Sequence, residues 1–178
     1  MSVSKVFQRS LWFFSTNAKL KIIILVDPTP PSDEKDISKL TEAMMDTSQS
    51  LWERYRAMFS LRDLSKQDKA AVMALVEGFK EKESALFRHE IAFVLGQVGP
   101  DAACAENDLI KVVEDDNEHP MVRHEAAEAL GSIDTENANN ILKQFATSKC
   151  RIVRESCEVA LDQAEYYNDP TQFQPISV

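Results

Sequence analysis

Leu86-Phe87-Arg88-His89-Glu90-Ile91-Ala92-Phe93-Val94-Leu95-Gly96 and Met121-Val122-Arg123-His124-Glu125-Ala126-Ala127-Glu128-Ala129-Leu130-Gly131 are one phrase written twice, 35 positions apart. Each copy reads as a bulky apolar residue, Arg, His, Glu, an apolar run and a closing Gly. Self-similarity at a period of this size is the mark of a repeat architecture. Aligning on the arginine extends it in both directions. Arg54-Tyr55-Arg56-Ala57-Met58-Phe59-Ser60-Leu61 precedes the quoted copies and Arg154-Glu155-Ser156-Cys157-Glu158-Val159-Ala160-Leu161 follows them, at offsets of 34, 35 and 31 residues.

Second helical patterns lie ahead of each anchor, at Ile37 to Met45, Lys69 to Phe79, Asp108 to Val113 and Ala138 to Phe145. Gly99-Pro100 and His119-Pro120 interrupt the chain where turns are needed. Each unit is therefore a pair of antiparallel helices whose apolar face cannot be buried alone, so neighbouring pairs must stack. The expected fold is all-α, a right-handed α-solenoid of about four helical-hairpin repeats over residues 36–166. Asp27-Pro28-Thr29-Pro30-Pro31-Ser32-Asp33 reads as an extended linker, with Ser32 or Asp33 capping the first helix. Residues 1–35 form a non-globular leader and linker in this reading, and 167–178 an irregular tail.

The composition agrees. At 178 residues a chain can bury roughly 70% of its unfolded surface, and the low glycine count of 4 favours helix over sheet. A formal charge of −9 argues against nucleic acid, which needs a basic stripe, and suits a cationic partner. Residues 1–26 hold Lys5, Arg9, Lys19 and Lys21 and no acid, so the remainder carries 16 basic against 29 acidic residues. That basic, serine-containing start fits a mitochondrial transit peptide, a leader, or a start site inside a longer gene. The longest apolar run, Ile22 to Val26, is too short to span a bilayer, so no membrane is expected. Cys104, Cys150 and Cys157 have no framework spacing and read as reduced thiols of a cytoplasmic protein.

The paired His-Glu carries the chemistry. The same slot holds Tyr55-Arg56 in the first unit and Glu155-Ser156 in the fourth, so the scaffold does not itself require His-Glu. Adjacent helical residues point about 100° apart, so one pair cannot mimic the i,i+4 arrangement of a zinc protease. Stacked helices lie roughly 8–10 Å apart, which lets His89 and His124 converge from successive helices. A carboxylate from either unit then completes the 2-His-1-carboxylate set of non-haem ferrous oxygenases. His119 falls outside the repeated slot and reads as a solvated loop residue. Nothing in the sequence marks a nucleophilic Ser or Cys.

These phrases, together with Trp52-Glu53-Arg54-Tyr55-Arg56-Ala57-Met58-Phe59-Ser60-Leu61-Arg62, resemble deoxyhypusine hydroxylase from about Val26 to Asp162. The resemblance implies HEAT-like (E-Z type) repeats and a di-iron, dioxygen-dependent monooxygenase. Its substrate would be the deoxyhypusine residue of translation initiation factor 5A, hydroxylated to hypusine. By matching motif, His89, Glu90 and His124 become iron ligands, and Glu125 a ligand or a carboxylate that holds the substrate amine. The family builds its centre from two pseudo-symmetric halves with four His-Glu pairs, and this sequence resembles the second half alone. The resemblance therefore implies two Fe2+ per complete site and at most one per chain here. Three readings stay open: a shortened product, two copies pairing face to face as a homodimer, or a paralogue that only binds. The last is a non-catalytic repeat scaffold whose acidic face takes a basic protein segment. The expected compartment is the cytoplasm, with the mitochondrion as the alternative through residues 1–26.

Overall fold

The computed structural model describes residues 29–171, so the expectations about residues 1–28 and 172–178 lie outside the described residues. Among the described residues there are eight α-helices and no strand. They are α1 (Ile37–Met45), α2 (Leu51–Ser65), α3 (Lys69–Val76), α4 (Ala85–Val98), α5 (Glu106–Glu114), α6 (Pro120–Ile133), α7 (Glu136–Phe145) and α8 (Arg151–Asn168). Their starts are written locally. Asp36, Ser50, Asp68, Ser84 and Thr135 cap α1, α2, α3, α4 and α7 through side-chain oxygens, satisfying amides that have no partner within the helix.

The repeat is visible in the packing. The even-numbered helices carry the arginine phrase; α4 packs along α6 and α6 along α8, while each odd-numbered helix backs its own partner. One continuous core runs through all four units, with Phe87, Ile91, Leu95, Leu109, Leu130 and Leu142 fully buried.

The repeated arginine has a structural task. Arg54 Nε donates to Met44 O at 2.9 Å, Arg88 Nη1 to Glu81 O at 2.7 Å, Arg123 Nε to Val113 O at 2.9 Å and Arg154 Nη1 to Ser148 O at 2.9 Å. In each unit it ties the second helix to carbonyls at or beyond the end of the first. Such carbonyls have no helical donor, and a cation beside them also complements the helix dipole. Acidic partners complete three of these links: Glu81 on Arg54 and Glu118 on Arg88 at 2.7 Å, and Asp116 on Arg123 at 2.9 Å.

The closing glycine has a different task. A Cβ on Gly96 would lie 3.2 Å from Ala129 Cα, and one on Gly131 2.8 Å from both Ala160 O and Ala160 Cβ. These two positions hold no side chain because the next helix passes too close. The close approach sets α4, α6 and α8 side by side.

Four local expectations shift. The cap of α1 is Asp36, not Ser32 or Asp33, because Asp36 Oδ1 reaches the amides of Ser38 and Lys39. The proline segment docks on α2: Arg56 donates to Pro30 O and Pro31 O, and Ser60 Oγ to Ser32 O. His119 is exposed yet caps α6, its Nδ1 accepting from the Met121 amide at 3.2 Å. Finally, α8 runs on to Asn168, taking in the first two residues of the expected tail.

Candidate metal centre

Aligned on the arginine, the next position holds Tyr55, His89, His124 and Glu155, and the one after it Arg56, Glu90, Glu125 and Ser156. Helix stacking sets the first of these positions against the second position of the following unit. Thus His89 Nε2 lies 3.2 Å from Glu125 Oε2, and His124 Nδ1 lies 2.8 Å from Ser156 Oγ. Tyr55 feels Glu90 in the same sense, since that carboxylate, after burial itself, helps push the phenol up to about 12.

Three of the four residues singled out in the sequence converge. His89 Nε2 and His124 Nε2 approach the same oxygen, Glu125 Oε2, at 3.2 and 3.6 Å. The two rings stack with centroids 6.4 Å apart and planes inclined by 30°. One ligand atom from each of His89, His124 and Glu125 falls within 4.8 Å of the other two. Neighbouring ligands of a metal with bonds of about 2.1 Å stand roughly 3–3.5 Å apart, so these spacings fit one ion with little rearrangement. Glu90 is placed differently. Its Oε1 is 3.4 Å from His89 Nδ1, the nitrogen on the far side of the ring from Glu125.

The electrostatics point the same way. Burial, then Glu128 and Glu90, push the Glu125 carboxyl up to about 7. Among the described residues no Lys or Arg forms an ion pair with Glu90, Glu125 or Glu128; the side chains within reach of them are the two imidazoles. His89 Nδ1 is buried without a hydrogen-bond partner. Partly buried carboxylates in mutual repulsion are what a bound cation relieves. Two imidazoles and carboxylate oxygen with no thiolate suit a divalent transition ion with open positions better than structural zinc.

Sequence reasoning passed over two neighbours. Glu128 Oε1 is 3.3 Å from His124 Nδ1, an i,i+4 contact that the spacing alone announces. Ser156 could have been found by asking what the fourth unit places where the third places Glu125. Exposed apolar residues flank the row: Leu86 and Phe93 on α4, Ile152 and Val159 on α8.

Comparison with known proteins agrees with this architecture. Residues 72–162 match the model of HEAT repeats. Deoxyhypusine hydroxylase of Drosophila melanogaster is 49% identical over 146 residues, covering 82% of this chain and 47% of that protein. The Rattus norvegicus enzyme is 50% identical over 143 residues, covering 80% and 46%. A solved structure of human deoxyhypusine hydroxylase in complex with glycerol superposes with a TM-score of 0.72 at 48% identity, covering 79% of this chain and 47% of that one. The chain spans about half the length of the curated relatives it matches. Among the described residues no helix is long and apolar enough to cross a membrane. The arginine-anchored helical hairpins and the matched model together identify the chain as a member of the HEAT-repeat family, similar over its repeat domain to deoxyhypusine hydroxylases.

Proposed function

We propose that this chain provides one half of a deoxyhypusine hydroxylase, an iron-dependent monooxygenase that hydroxylates the deoxyhypusine residue of translation initiation factor 5A. The observation that carries the proposal is the convergence of His89 and His124 on Glu125 within a domain close to half identical to those enzymes. Fe2+, when bound, supplies the activation of dioxygen.

The protein's own residues have separable roles. His89 and His124 present Nε2 as neutral donors, and Glu125 gives up its proton to bind the ion. Glu90 Oε1 stands 3.4 Å from His89 Nδ1, near enough for a small side-chain rotation to make it an acceptor that holds the ring for coordination, or a further ligand. Glu128 and Glu90 leave negative charge beside the centre that attracts the cationic side chain of the substrate. The apolar residues Leu86, Phe93, Ile152 and Val159 border the row and shield it from water once covered.

Two histidines and one or two carboxylates serve one iron per chain. Two copies of the chain facing each other rebuild a two-iron centre, with those apolar residues as the natural contact. The assembly acts in the cytoplasm in this reading. Native mass spectrometry after anaerobic ferrous loading tests it by counting subunits and iron together. A dimer with two irons that hydroxylates deoxyhypusine-bearing factor 5A is expected. An iron-free chain that binds the factor equally well after both His→Ala changes would make it a scaffold instead.

A further inference from the structure

We infer that Ser156 is the positioning residue for His124, holding its imidazole as the Nδ1–H tautomer so that the Nε2 lone pair faces Glu125. The inference rests on the metal-site reading but concerns a residue that no motif singles out. Ser156 is on α8, outside both His-Glu phrases, in the slot that holds Glu125 one unit earlier. Its Oγ lies 2.8 Å from His124 Nδ1.

The direction of that hydrogen bond follows from its surroundings. Ser156 Oγ also lies 2.7 Å from Ile152 O, an atom that can only accept, so the single hydroxyl proton goes there. Towards the imidazole the oxygen is then an acceptor. Glu128 Oε1, another acceptor, is 3.3 Å from the same Nδ1. A nitrogen lone pair facing two acceptors is repelled by both, whereas Nδ1–H satisfies both. With the proton on Nδ1, Nε2 is free to coordinate, and a hydrogen bond on the far nitrogen is how ligating histidines are oriented. The same bond argues against Ser156 as a nucleophile: the residue is 6% exposed and its proton is committed to a backbone carbonyl.

The repeat explains why a serine is needed at this place. His89 meets the Glu125 carboxylate of the following unit through Nε2, whereas His124 meets the following unit through Nδ1. A second glutamate at position 156 would add negative charge beside Glu128, while a hydroxyl accepts a hydrogen bond without adding any.

The test combines the imidazole nitrogen shifts of metal-free protein with anaerobic Fe2+ affinity, in wild type, Ser156→Ala and Ser65→Ala. Ser65 is the matched control: buried, on α2, with its Oγ donating to Leu61 O at 2.8 Å and no histidine beside it. Spectra are taken at a pH where the nitrogen shifts themselves report a neutral ring. We expect His124 to carry its proton on Nδ1 in wild type and in Ser65→Ala, and to shift towards Nε2–H in Ser156→Ala. Iron affinity should fall about 10- to 100-fold in Ser156→Ala alone. The inference is overturned if wild-type His124 is already Nε2–H, if Ser156→Ala leaves the nitrogen shifts unchanged, or if Ser65→Ala loses as much affinity. If wild type binds no iron, the metal reading fails, while the metal-free shifts still decide the role of Ser156.

Discussion

His89 Nε2 and Glu125 Oε2 meet at 3.2 Å although 36 positions separate them, because Gly96 lets α6 lie against α4 closely enough for one unit's histidine to reach the next unit's carboxylate. Metal binding therefore depends on both units. His89→Ala, His124→Ala and Glu125→Ala should each lower Fe2+ affinity by more than about 100-fold, since each removes a donor from a minimal set. The thermal stability of the metal-free protein should change little in the histidine variants, because both rings are partly exposed. Isothermal titration under nitrogen alongside thermal melts reads both; an unchanged affinity in any one variant removes that residue from the site.

Glu125 makes the metal-free protein sensitive to alkali. Its folded-state value of about 7 lies above the ordinary 4.5, so the folded state holds a proton that the unfolded chain releases earlier. The stabilisation from that proton is fully present below 4.5 and is lost as pH rises through 7. Glu125→Gln keeps the neutral form at all pH values. It should match wild type near pH 4.5 and melt higher than metal-free wild type above pH 7. Fe2+ should bind more weakly as pH falls below 7, since the ion must displace the proton. Melting curves that run parallel across this window would contradict the assignment.

Arg54 and Glu81 form a buried ion pair, with Arg54 also stacked 4.0 Å above the Phe87 ring. Removing one partner leaves an uncompensated charge, so Glu81→Ala should cost about 3 kcal/mol by denaturant unfolding. A loss under about 1 kcal/mol would show that the guanidinium finds another partner.

Gly131→Ala places a methyl 2.8 Å from a backbone oxygen of α8, where Gly96→Ala meets Ala129 Cα at 3.2 Å. The first should destabilise by about 1–3 kcal/mol and the second by less. Pushing α8 away also lengthens the His124 to Ser156 contact, so Gly131→Ala should lower Fe2+ affinity as well as the melting temperature.

His119 offers a control on the same chain. It caps α6 from solvent, so His119→Ala should cost less than about 1 kcal/mol and leave Fe2+ affinity at the wild-type value. A loss of affinity would mean that the start of α6, not the His-Glu row, governs the site.

Much of the fold was legible in the sequence because each helical hairpin states its own boundaries. Serine, threonine and aspartate caps, the arginine anchor and the closing glycine recur at a near-constant period, and each acts within one unit or on its neighbour. The expected helix Ile37 to Met45 coincides with α1, and Lys69 to Phe79 spans α3 and the 3-10 turn Glu77–Lys80 that extends it. The docked prolines and the capping role of His119 were not legible, since both depend on a surface or an amide whose position no spacing rule supplies.

That two histidines occupy equivalent slots of stacked units follows from the repeat alone, since units equivalent in sequence are equivalent in space. Which atoms meet is set by how the units pack. The register of α4, α6 and α8, set where Gly96 and Gly131 admit the next backbone, brings Glu125 to both imidazoles. It leaves Glu90 at the far nitrogen of His89 and carries Ser156 to His124. Side-chain reach across a helix interface is a matter of tenths of an ångström, and that is fixed by packing, not by period.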